Sequence, residues 1–160
     1  MTYRIIIQHA DDSIQIPKTS LLRKWIKKTL NEKFQSAEIT LRIVGIEEMS
    51  ALNLTYRHKN GPTNVLSFPF EMPPSMPVGT PILGDIVICA DVVKQEALSQ
   101  GKLSEAHWAH MIIHGIFHLF GYDHETDEEA QIMENLEIKM LQSLGFSNPY
   151  EIGVSIKDYD

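Results

Sequence analysis

Five of the seven histidines in this 160-residue chain fall between His107 and His124. His114 and His118 are four residues apart, and on a helix that spacing aims both imidazoles from one face, close enough to share an ion. Gly121 stands where such a helix would end, and Tyr122-Asp123 would turn the chain so that His124 folds back over the same face. His114, His118 and His124 are therefore expected to bind one metal ion. Three histidines leave one position of a zinc tetrahedron open to water, as catalytic sites do, whereas structural sites fill all four with protein ligands. One Zn2+ per chain is the expected cofactor. A lone helix-face histidine is usually hydrogen-bonded to a nearby carbonyl, but three at this spacing around a glycine turn point to a shared ion. His107 and His110 lie at helical spacing with His114 and compete as ligands. His107 and His118, about 16 Å apart at a rise of ~1.5 Å per residue, cannot serve one ion. His110 is expected to pack beside the site or touch its ligands.

The three histidines and Gly121 also resemble the extended metzincin protease motif, H-E-x-x-H-x-x-G-x-x-H. Position 115 is glycine, so the glutamate that would act as general base in peptide hydrolysis is missing, and no methionine is assignable to the later Met-turn. A metzincin-like peptide hydrolase is the weaker alternative.

A second constellation lies upstream, Tyr56-Arg57-His58-Lys59-Asn60-Gly61-Pro62-Thr63-Asn64-Val65-Leu66-Ser67-Phe68, followed by Gly84-Asp85-Ile86. An arginine beside a metal site suits phosphodiester cleavage, because its planar fork can hold two phosphate oxygens and stabilise the charge that builds in the transition state. An arginine capping the carbonyls of a helix end is an equal reading of the same residue. The net charge of −7 argues against nucleic acid, yet it is unevenly spread. Residues 1–59 carry ten bases and six acids, a balance of +4, and residues 60–160 carry four bases and fifteen acids, a balance of −11. Lys18, Arg23, Lys24, Lys27, Lys28 and Lys33 crowd one expected helix in which Glu32 is the only acid. Such a face can attract a polyanion; the plainer reading is a solvated face whose long stems cover apolar surface.

With His114-Gly115-Ile116-Phe117-His118-Leu119-Phe120-Gly121-Tyr122-Asp123-His124, these upstream motifs resemble the YbeY family of bacterial ribosomal RNA maturation factors. The likeness spans roughly residues 40–150, with the motifs in the family's order. Many members carry Asp where this chain has Asn64. The resemblance implies a zinc-dependent, single-strand-specific endoribonuclease acting in small-subunit ribosomal RNA maturation and ribosome quality control, with Arg57 and His114 as its catalytic residues. It also implies contacts with the small ribosomal subunit and an Era-type GTPase. Arg57, Lys59, Arg23, Lys24, Lys27 and Lys28 are the candidate contacts to single-stranded RNA, with His58 as a further one; His58 and Lys59 are each equally well explained as ordinary loop polarity. No general base stands out. Water activated by the metal, the RNA 2′-hydroxyl, or a carboxylate such as Asp85 or Asp123 all remain open. A ribosome assembly factor with a structural metal and little nuclease activity is the alternative of a different class.

These residues need a scaffold. Alternating apolar positions predict strands over 3–9, 38–44, 64–68 and 86–90. Asp11-Asp12-Ser13 reads as a turn. A helix is expected from Ser20, with Leu21, Leu22, Trp25, Ile26, Leu30 and Phe34 as its apolar stripe, and further helices over 46–56, 91–100 with Asp91 as cap, 104–120, and from Thr126 to near Gly145. Five of the eight prolines lie between Pro69 and Pro81, which makes that segment a surface loop able to rim a cleft. The expectation is an α+β single domain over 1–160: a small mixed β-sheet of about four strands covered by about five α-helices, the metal on the central helix. At 43% hydrophobic the chain can bury one core, while its longest apolar runs fall far short of the ~20 residues that span a bilayer. No membrane association and a cytoplasmic location are expected, since the N-terminus runs straight into a strand without a secretory signal. Cys89, the single cysteine, has no partner for an internal disulfide and reads as core.

Overall fold

The computed structural model describes residues 2–10, 13–75 and 79–151; Asp11, Asp12 and Pro77, from the expected turn and loop, lie outside that range. β1 (Thr2–His9), β2 (Ser36–Val44), β3 (Val65–Pro69) and β4 (Ile82–Cys89) form one mixed sheet in the order β1-β2-β4-β3. The first two and β4 run parallel, and β3 pairs antiparallel with β4 at the edge. An edge position tolerates Pro69 as the last residue of β3, because its missing N–H faces no neighbour. Among the described residues α1 (Thr19–Leu30), α2 (Ile46–Arg57), α3 (Ala90–Ser99), α4 (Ser104–Leu119) and α5 (Asp127–Ser143) flank the sheet. None of these helices is long and apolar enough to cross a membrane.

Strand alternation divides the interior in two. Ile39, Leu41, Ile43, Ile86 and Ile88 point to one face, where α1, α4 and α5 add Trp25, Ile26, Trp108, Ile112 and Met133 to the main core. Leu66, Val87 and Cys89 point to the other, beneath Met49 and Leu52 of α2. Cys89 is thus buried core, as its surroundings in the sequence suggested.

Several boundaries differ from the sequence reading. β4 begins at Ile82, not 86, since Gly84, at φ 137°, forms an irregularity opposite Glu38/Ile39 and lets the strand extend. A Cβ at Gly84 would stand 2.1 Å from the Phe68 carbonyl oxygen, so β3 and β4 can approach only at glycine. Ala90 already belongs to α3, which places Asp91 in the first turn and not at the cap. α1 stops at Leu30, and Phe34 packs from beyond it onto Phe120, ring centroids 5.6 Å apart. The start of α5 is as expected, with Thr126 and Glu129 exchanging bonds in a capping box.

α4 is the central element. Every residue from His107 to Phe117 is buried, which marks a helix inside the core and not on its surface. It lies close against β4 because Gly115 has no side chain: a Cβ there would meet Ile86 Cγ2 at 2.9 Å. The Gly115 carbonyl also accepts a hydrogen bond from Ser67 Oγ of β3 at 3.0 Å. Gly115 is therefore a packing requirement, and a glutamate could not fit there.

Asn64 has a structural role of its own. Its Nδ2 lies 3.2 Å from both Glu96 carboxylate oxygens, its Oδ1 accepts the Val65 N–H at 2.7 Å, and Glu96 also meets His107 Nε2 at 2.9 Å. One carboxylate thereby joins β3, α3 and α4. An aspartate at 64 would set two like charges together.

Two outcomes are expected. Gly115→Ala should lower stability by about 1 kcal/mol in urea denaturation, overpacking of ~1–3 kcal/mol outweighing the ~1 kcal/mol that alanine gains in a helix. On an Ile86→Ala background that loss should vanish. Asn64→Asp should cost roughly 1–3 kcal/mol at neutral pH, less in acid, where one carboxylate of the pair takes a proton. A deficit independent of pH would show that charge repulsion is not its cause.

Candidate metal centre

His114 and His118 leave α4 on one face, as their spacing requires, and their Nε2 atoms stand 3.1 Å apart. Gly121, at φ 102°, ends the helix with its own N–H on the His118 carbonyl and the Tyr122 N–H on the Phe117 carbonyl, both at 3.0 Å. The turn carries His124 back, 5.5 Å from the His114 ring and 5.1 Å from the His118 ring between centroids. One nitrogen from each of the three lies within 4.8 Å of the others. Asp123 holds the turn by accepting the His124 N–H at 2.8 Å.

Behind this group sits Glu137 of α5, fully buried. Its Oε2 accepts from His114 Nδ1 at 2.6 Å and its Oε1 from His110 Nε2 at 3.0 Å, with the Tyr150 hydroxyl on the same oxygen. Burial alone would raise the carboxyl's affinity for its proton, but His114 and His110 outweigh it and hold Glu137 far below the usual carboxylate range. An ionised carboxylate only accepts, so His114 must carry its proton on Nδ1. Its Nε2 lone pair then faces the gap toward His118.

The electrostatics on the other side agree. Burial first, then the His114 and His124 imidazoles, push His118 down to about 4, so the ring is neutral at neutral pH. Two ligand nitrogens ~2.0–2.1 Å from a tetrahedral ion are roughly 3.3–3.4 Å apart, close to the 3.1 Å seen here. These residues fit a Zn2+ ion by donor type, separation and protonation. His110, His114 and Glu137 form a second group with metal-ligating atoms in range, wholly buried. Its atoms already satisfy one another by hydrogen bonds, whereas His118 and His124 are half-exposed and border solvent.

Glu137 is the functional residue that sequence reading missed. A signal was present: Ala130, Met133, Glu137, Met140 and Leu141 are the buried positions of α5, so an acid occupies the apolar stripe of an amphipathic helix. His110 touches the ligand shell through Glu137, as expected. Tyr150 carried no such signal.

The other candidates are not gathered here. Arg57 is exposed as the last residue of α2, the helix on the sheet face opposite α4. Lys59 follows it, also exposed, just past His58, which adopts the left-handed conformation at φ 58°. Asp85 faces the α2 side with Arg42, Glu48 and Tyr56, so it cannot serve as base at the histidines; Asp123 stays beside them. On α1, Arg23 donates to the Ile5 carbonyl at 2.7 Å and Lys28 to the Ser143 carbonyl at 2.9 Å. Lys24 and Lys27 are exposed along the same shallow groove of about 800 Å³.

Glu137→Gln should leave the fold intact and weaken zinc binding about 10- to 100-fold in chelator competition, the usual effect of losing a carboxylate behind a metal-binding histidine. Unchanged affinity would remove Glu137 from the metal centre.

Residues 6–145 match the family described as Endoribonuclease YbeY. Endoribonuclease YbeY of Nitrosococcus oceani is 46% identical over 151 residues, which cover 94% of this chain and 99% of that protein. Among solved structures, the solution structure of TM1509 from Thermotoga maritima is similar with a TM-score of 0.60 and 25% identity, covering 89% of this chain and 88% of that one. The matched residues include the sheet, the buried helix and its histidine turn, and this chain belongs to the YbeY endoribonuclease family.

Proposed function

We propose that this chain is a zinc-dependent, single-strand-specific endoribonuclease of small-subunit ribosomal RNA maturation and ribosome quality control, working in the cytoplasm. The observation that carries the reading is the convergence of His114, His118 and His124 on one point in front of a buried, ionised Glu137, in a member of an endoribonuclease family. A Zn2+ ion bound there would supply Lewis acidity toward a phosphoryl oxygen or a water molecule.

The protein's part is positioning and charge. Glu137 fixes the tautomer and the plane of His114, so that Nε2 faces the gap without reorganisation. Neutral His118, together with His124, completes the ligand set on the solvent side. Arg57 is the proposed phosphate clamp, its fork matching two oxygens of the scissile group. Support comes from chain continuity: the segment after α2 leads into β3, and β3 touches α4 through Ser67 and the Gly115 carbonyl. Lys59 lies on that same segment. Arg23, Lys24, Lys27 and Lys28 lend α1 a positive groove that draws the strand inward and gives binding a dependence on salt. Ribosomal RNA, the small subunit and an Era-type GTPase are the partners that the family resemblance implies.

The test is cleavage by zinc-loaded protein of single-stranded RNA, duplex RNA and casein. Cleavage confined to single strands is expected, lost on chelation and in His114→Ala, and lowered at least 100-fold in Arg57→Ala, the scale on which removing a transition-state donor acts. Undiminished RNA cleavage in His114→Ala would overturn the metal-nuclease reading, and full activity in Arg57→Ala would overturn the clamp alone. Zinc-dependent cleavage of casein would favour the peptidase, and ribosome binding without any cleavage the assembly factor.

A further inference from the structure

Next to the histidine turn lies a cleft that the proposed reaction does not use. It has a volume of about 360 Å³ and opens between the segment just after α1, the end of α4 and the C-terminal half of α5. Phe117, Phe120 and Tyr122 line it, with Lys33 and Lys139 on its walls and Glu32 near Lys33. Phe117 immediately precedes His118, and Tyr122 stands two residues before His124. Tyr122 sets its ring edge-on to Phe117, centroids 5.8 Å apart, so one short turn serves both sites, Tyr122 for the cleft and His124 for the histidines.

The chemistry of this cleft is specific. Tyr122 is 38% exposed, a high value for a large aromatic that has a buried neighbour to pack on, and Phe120 is half-buried. Lys33 reaches over the Phe120 ring, 5.5 Å from its centroid, and donates to the Phe120 carbonyl at 3.0 Å. Lys139 is exposed on α5. An exposed aromatic ring in a cleft that also carries two cations is what a single nucleic-acid strand requires: a flat apolar surface for a base, and positive charge for the phosphates on either side. A base held in a duplex is stacked and paired, and cannot enter.

Resting on the endoribonuclease reading, we infer that this cleft is a base-binding subsite: it takes one unpaired nucleobase of the strand whose phosphodiester lies at His114, His118 and His124, stacks it on Tyr122, and holds the flanking phosphates with Lys33 and Lys139. Preference for single strands then arises from the binding of that base.

The test compares the affinity of zinc-loaded protein for two fluorescein-labelled probes of equal charge, ten-nucleotide oligouridine and the same backbone without bases. Wild type should prefer oligouridine by about tenfold or more, the scale of one stacked base. Tyr122→Ala should bind both probes alike, and Tyr122→Phe should keep the preference. Because Tyr122 adjoins the metal turn, Leu136→Trp provides a second route: it fills the cleft from α5 and should abolish the preference with zinc content unchanged by mass spectrometry. Lys139→Glu should weaken both probes equally. Equal binding of the probes by wild type, or a preference that survives both Tyr122→Ala and Leu136→Trp, would overturn the subsite. Base preference without cleavage would leave the subsite and remove the nuclease reading; cleavage without base preference would do the reverse.

Discussion

A carboxylate cut off from water is tolerable only when every lone pair that matters has a donor, and Glu137 meets that condition through His114, His110 and Tyr150. The demand sets much of the molecule. It fixes the register of α5 against α4, since Glu137 must come opposite two histidines one turn apart, and it draws Tyr150 in from beyond α5. It also decides the chemistry of the centre. With the Nδ1 proton committed to the carboxylate, His114 has only Nε2 to offer, and that atom faces His118. Without the acid, the tautomer of His114 and the direction of its lone pair would both be free.

The same helix answers a packing demand. α4 is buried from His107 to Phe117, so it must approach the sheet closely, and Gly115 permits this against Ile86. The residue type at 115 thus carries two meanings. Seen beside a protease motif it is a missing base; in the fold it is the contact point between helix and sheet. Those meanings agree, because an acidic side chain at 115 would point into β4, away from any substrate at the histidines.

The two faces of the sheet divide the remaining chemistry. The histidines, Glu137 and the aromatic cleft lie with α4 and α5, whereas Asp85 and the Arg42–Glu48 ion pair belong to the α2 side. Strand alternation makes this separation unavoidable: Ile86 faces α4, so Asp85, one residue away, must face the other way. Arg57 ends α2, and the chain goes on from it into β3, which touches α4 through Ser67. The basic residues of α1 are only partly available for ligands, because Arg23 and Lys28 spend donors on backbone carbonyls.

What was legible in the sequence was periodic or local. Four strands and five helices follow from apolar spacings of two and of three to four, and the histidine turn follows from a helical repeat plus a glycine that can adopt positive φ. Boundaries were less legible where sheet pairing decided them: Ile82 joins β4 because β2 lies beside it, and Asp91 gave up its cap because Ala90 had already entered the helix. Distant partners were not legible at all. Glu137 lies 23 residues from His114, Glu96 lies 32 from Asn64, and no local pattern links residues that only packing brings together. The sequence by itself determined the candidate donor types and the common helix face of His114 and His118, since backbone geometry does that within a few residues. Only the tertiary structure decided which imidazole nitrogen of His114 faces His118 and which carboxylates stand near the three histidines, because burial and hydrogen-bond satisfaction depend on what the folded chain places alongside.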